Sequence, residues 1–94
     1  MTYQLTVFSN LKIYGQFEAG GFPEWISHRA KRLNLSGWVK LHHSQMIEIG
    51  VAGNPILVDA LEAACNLGPY EAKVDRVQVK DGKPFKPLNG FEIV

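Results

Sequence analysis

Apolar residues recur along this chain with two periods, and each change of period marks an element boundary. From Leu5 to Tyr14 (LTVFSNLKIY), Leu5, Val7, Leu11 and Ile13 share a parity, which predicts a strand with one face on the core. Ser9 and Asn10 interrupt the pattern and suggest a bend or bulge. Gly15 to Gly21 (GQFEAGG) reads as a loop. Phe22, Trp25, Ile26, Ala30 and Leu33 then fall on one helical stripe, with Arg29 at its edge. Pro23 fits the first turn, where a missing N–H leaves no intrahelical bond unmade. Lys31 and Arg32 sit in the last turn, where cations complement the helix dipole.

The strand period returns in Ser36–Leu41 (SGWVKL) and Met46–Ala52 (MIEIGVA), joined across HHSQ as a hairpin. Asn54 followed by Pro55 starts a second helix, with the asparagine as cap and the proline in the first turn. Leu57, Ala60, Leu61, Ala64 and Cys65 line one side of it, and Gly68-Pro69 stops it. Ala72–Lys80 (AKVDRVQVK) reads as a fourth strand. The loop DGKPFKPLNG separates it from a short last strand, FEIV. The order is βαββαβ with no solenoid-like repeat. Two one-sided helices bury their stripes by lying on one face of an antiparallel sheet of four to five strands. The predicted fold is an α+β, ferredoxin-like two-layer sandwich, and that fold by itself decides no function.

Ninety-four residues, 46% of them apolar, suit one domain spanning residues 1–94. Ten Lys/Arg against nine Asp/Glu leave a net charge of +1, which disfavours a dedicated nucleic-acid binder. The single Cys65 rules out an internal disulfide framework and a cysteine-cluster zinc site. No apolar run approaches the roughly 20 residues of a membrane span, and MTYQLTVFSN lacks the charged head of a signal peptide. The expectation is a cytoplasmic monomer with no membrane association.

The loop, helix start and second strand together resemble the acylphosphatases. The resemblance runs without a gap from Leu11 through Gly53 and more loosely to Val94. Its quotable parts are Gly15, Gly21-Phe22, Leu35-Ser36-Gly37-Trp38-Val39, Gly53, Gly68-Pro69 and Phe91-Glu92-Ile93. No single one is specific; their order and spacing are. Family enzymes hydrolyse the mixed anhydride of a carboxylic acid and phosphate. The resemblance implies a phosphate loop of the form G-x-V-Q-G-V-G-F-R, in which backbone N–H groups and the final arginine hold the phosphate. It also implies a G-W-V-x-N segment whose asparagine orients the attacking water.

This chain departs from the pattern at both places. The remnant phosphate loop comprises Gln16, Phe17, Glu18, Ala19, Gly20, Gly21 and Phe22, and the arginine position is Pro23. Glu18 replaces a neutral glutamine, and Glu24 follows the missing arginine. At an effective dielectric of about 20, a like charge ~8 Å from a phosphate costs roughly 2 kcal/mol before salt screening. The second segment reads Gly37-Trp38-Val39-Lys40-Leu41, so the asparagine position is Leu41. Lys12, Arg29 and Lys40 are the candidate substitute cations.

Other residues invite chemistry less. His42 and His43 are adjacent in an extended segment and point to opposite faces, which disfavours chelation. They read as solvated imidazoles, and no metal or cofactor is expected. Cys65 lies on an apolar stripe and reads as a small hydrophobe. Trp25 and Trp38 read as packing residues rather than base-stacking platforms. A sheet that binds nucleic acid wants exposed aromatics on central strands, and the first strand offers only Phe8 and Tyr14. Lys80, Lys83, Phe85 and Lys86 read as a solvated basic loop, which with Gln16–Gly21 is where a partner would be recognised. The leading expectation is a catalytically silent binding or interaction module for an unidentified protein or small molecule. The competing one is an acylphosphatase with a relocated cation, and a third is a single-stranded nucleic-acid module.

Overall fold

The computed structural model describes residues 6–17, 21–69, 72–82 and 89–94. Its elements follow in the order β1 (Val7–Gln16), α1 (Phe22–Arg32), β2 (Ser36–His43), β3 (Met46–Gly53), α2 (Pro55–Leu67), β4 (Lys73–Asp81) and β5 (Phe91–Ile93). The strands form one sheet in the order β4-β1-β3-β2-β5. The four long strands pair antiparallel, as expected, whereas β5 joins β2 in parallel. The sheet is therefore mixed at one edge, because the chain returns to β2 after crossing the far side of the sheet at β4.

Register explains where the core lies. Leu11, Ile49 and Val39 sit side by side on β1, β3 and β2, and all three are fully buried. Ile13 and Ile47 form the next row with the same burial. Phe22, Ile26 and Ala30 from α1 and Val58, Leu61 and Cys65 from α2 close over them. Each fully buried side chain of this size contributes on the order of 2 kcal/mol. Both helices thus lie on one face, and the other face carries Asn10, Lys12, Tyr14, Lys40 and Glu48 by alternation.

Several local expectations shift. β1 runs through Ser9 and Asn10 without a break; its irregularity lies at Tyr14/Gly15 against β4. Ser9 is buried under the helices, so a small polar residue there continues the strand. Ala60 is exposed rather than on the buried side of α2, where Val58 takes its place. Trp38 is buried, yet on the face away from the helices, where its indole lies across Gly50. A Cβ at residue 50 would meet that ring, so the glycine is a requirement of close approach. The segment from Lys83 to Leu88, with Phe85 and Lys86, lies outside the described residues.

Candidate functional site

The helix α1 opens at a left-handed Gly21 (φ 79°, ψ −11°). That conformation favours glycine, and it turns the chain from the loop into the helix. Among the described residues no side chain caps this terminus, in contrast to α2, where Asn54 Oδ1 accepts from the Ile56 N–H at 2.8 Å. The first helical bond runs from the Trp25 N–H to the Gly21 carbonyl at 2.9 Å. Of the three residues between them, Pro23 has no N–H to offer an anion. Glu24 lies in this first turn, where its carboxylate already complements the helix dipole.

Pro23 is buried, packed at the start of α1 beside the fully buried Phe22. Phe22 in turn sits between Phe17 and Trp25, edge-to-face with both at 5.2 and 5.5 Å between centroids. These rings fix the loop's two ends. The backbone does so as well, since Gly15 and Phe17 donate to the carbonyls of Gln45 and Ser44 in the β2–β3 turn at 3.1 and 2.8 Å. Glu18, Ala19 and Gly20 lie outside the described residues. Leu41 pairs with Ile47 on the helix side of β2 and is 42% exposed.

The three candidate substitute cations are not brought together. Lys12 and Lys40 lie on the open face of the sheet, flanking Glu48 on β3. Arg29 folds back along α1 so that its guanidinium lies 4.4 Å from the Trp25 ring centroid. Helical side chains tilt toward the N-terminus, which brings this group one turn nearer Gly21 than its Cα. Gly21, Glu24, Trp25, Arg29 and Ala60 all line a cleft of about 750 Å³ between the helices.

One polar cluster was not anticipated. Glu48 accepts from Asn10 Nδ2 at 2.8 Å and is 2.7 Å from His42 Nε2. Burial raises the Glu48 carboxyl, but these two hydrogen bonds, with the charges of His42 and Lys12, hold it below its ordinary value. His42 is therefore not simply a solvated imidazole, while His43 Nδ1 accepts a 3.2 Å bond from the Gln45 N–H. The register Asn10–Gly50 and Lys12–Glu48 puts these side chains together; no sequence spacing announces a pair 38 residues apart. Cys65 is buried, and burial pushes its thiol up to about 12, which leaves it without nucleophilic character at neutral pH. Among the described residues there is no group of three or more His, Cys, Asp or Glu side chains placed to hold a metal ion. None of the described helices is long and apolar enough to cross a membrane.

The family model for acylphosphatase matches residues 9–93. An acylphosphatase of Thermococcus kodakarensis is 36% identical over 88 residues, covering 94% of this chain and 96% of that protein. Among solved structures, an acylphosphatase from Coxiella burnetii superposes with a TM-score of 0.90 at 22% identity, over 100% of both chains. Full-length HypF in a phosphate- and nucleotide-bound form matches with a TM-score of 0.85 at 23% identity, over 99% of this chain and 12% of that one.

Proposed function

The chain belongs to the acylphosphatase family, and we propose that it is a non-catalytic binding domain within it. The observation that carries this reading is the pair Pro23 and Leu41. The resemblance puts a phosphate-binding arginine at the first position and a water-orienting asparagine at the second. Here the first is a buried proline and the second an aliphatic side chain. Phosphoryl transfer depends on positioning and on stabilising charge at the equatorial oxygens, and neither side chain can supply either. The placement of Lys12 and Lys40 on the far face of the sheet supports the same reading. So does Glu24 at the helix terminus, where a phosphate dianion would meet it.

The structural match to 12% of the HypF chain supports the idea that this fold also serves as a module in larger proteins. On this reading the protein is a cytoplasmic pseudoenzyme whose loop end, from Gln16 to Phe22, recognises a protein or a small ligand without a phosphoryl group. Hydrolysis of benzoyl phosphate by the native chain and by Pro23→Arg/Leu41→Asn tests it, with circular dichroism as the control for folding. We expect no turnover from the native chain and a gain in the double variant. Native turnover at the rate of the Thermococcus kodakarensis relative would sink the reading.

One observation favours a second reading, an acylphosphatase with a relocated cation: Arg29 and Gly21 line the same cleft. If Arg29 had taken over the phosphate, the native chain would turn over benzoyl phosphate and Arg29→Ala would abolish it.

A further inference from the structure

The chain-wide charge of +1 hides a segregation that only the strand register reveals. In the paired rows from Phe8 to Tyr14, the open face of the sheet carries the cations Lys12, Lys40, Arg76 and Lys80. Against them stand the carboxylates Glu48 and Glu92. Glu48 is held by Asn10 and His42, so part of its charge is already answered within the protein. The surplus is thus concentrated on one side of a two-layer molecule, opposite the helices and the remnant loop.

Aromatic rings are interleaved with these cations. Phe8 is 39% exposed on β1, beside Ala52 of β3. Tyr14, at the other end of the same strand face, is half-buried, and the Arg76 guanidinium lies 4.3 Å from its ring centroid. The two rings are about 20 Å apart at ~3.4 Å per residue, with Lys12 between them and Lys40 two strands across. Strands ~4.8 Å apart spread the four cations over a band rather than converging them on a point. A single phosphate or carboxylate would find no pocket there. An extended polyanion with flat, unstacked rings fits both the band of charge and the rings.

We propose that the open face of the sheet binds single-stranded nucleic acid, with Phe8 and the Tyr14–Arg76 pair stacking on bases and Lys12, Lys40 and Lys80 tracking phosphates. The chemistry goes beyond the loop end of the molecule and is independent of whether acyl phosphates are hydrolysed. Duplex is disfavoured because its bases are already stacked and cannot reach the rings. An acidic protein segment would answer the lysines but leave the rings without partners.

A labelled oligouridylate titrated against the native chain, with fluorescence anisotropy at several salt concentrations, tests this. We expect saturable binding that weakens with salt at a log–log slope of about −2, as three phosphate contacts on a single strand require. Tyr14→Ala and Phe8→Ala each weaken binding about tenfold, Tyr14→Phe restores it, and Lys12→Gln/Lys40→Gln cuts the slope to about a third. Retained circular dichroism and a near-native thermal midpoint in Tyr14→Ala and Phe8→Ala separate a lost contact from a lost fold. Absence of saturable binding at low salt overturns the proposal. So does equal binding of polyglutamate with no effect of the two aromatic substitutions, which would make the face a docking surface for acidic protein. Equal affinity for duplex of the same charge overturns it as well.

Discussion

The two faces of this sheet have opposite chemistry, although the same strands build both. Ile49 and Glu48 are consecutive residues of β3: one is fully buried under the helices, and the other is hydrogen-bonded among polar groups on the open side. Along β2 the same division separates Val39 from Lys40. On the proposed reading, the family's arginine and asparagine positions, Pro23 and Leu41, both belong to the helix side. There Pro23 is packed and buried at the start of α1, Glu24 follows it in the first turn, and Leu41 lies on the helix side of β2. Lys12 and Lys40 stand on the other face, whereas Arg29 stays on α1 beside Trp25. The difference teaches that a near-neutral total charge says nothing about how charge divides between the two faces. That division depends on which side of the strand each charge occupies.

The largest effect comes from attacking the helix face. Ile49→Ala removes methylene groups from the centre of the core and should cost about 2–5 kcal/mol in urea-induced unfolding. Its neighbour Glu48→Ala should cost less, about 2 kcal/mol, by stranding Asn10 and His42 without their shared acceptor. A reversed order of these two values would break the contrast, because it would make the polar cluster rather than the apolar layer the centre of stability.

The second effect is a pH dependence. The Glu48 carboxyl lies below its ordinary value of 4.5 in the folded chain, so the unfolded chain binds the proton first as pH falls. Stability from this group is complete above about pH 4.5 and is lost as pH drops through the folded value. Unfolding curves of the native chain and Glu48→Gln should therefore run parallel near neutrality and converge in acid. Curves that stay parallel throughout would mean that Glu48 titrates alike in both states.

Much of the helix face was legible in the sequence because burial writes itself as period. Phe22, Ile26 and Ala30 announce α1, and Leu11, Ile13, Ile47 and Ile49 announce the strands that it covers. Pro23 was legible as a first-turn helix residue, and Leu41 as a strand residue, from the same periods. The open face was not. Lys12, Glu48, Lys40 and Arg76 are distant in sequence and become neighbours only through the register of four strands. Net charge sums over both faces and so erases their separation. Trp38 misled in the same way: its burial was foreseeable, but the face it occupies depends on Gly50, twelve residues away.

The smallest effect sharpens the comparison within the open face itself. Lys12 and Lys40 both neighbour Glu48, one on β1 and the other on β2. Lys12 is half-buried and its charge helps hold the Glu48 carboxyl down, whereas Lys40 is exposed and surrounded by water. Water screens the second charge but not fully the first. Substituting either lysine by glutamine should change stability by no more than about 0.5 kcal/mol. A carbon-detected titration of the Glu48 carboxyl should nevertheless move upward in Lys12→Gln and stay near the native value in Lys40→Gln. Equal shifts would place both lysines at the same electrostatic depth, and the open face would then be a uniform solvated layer rather than a structured one.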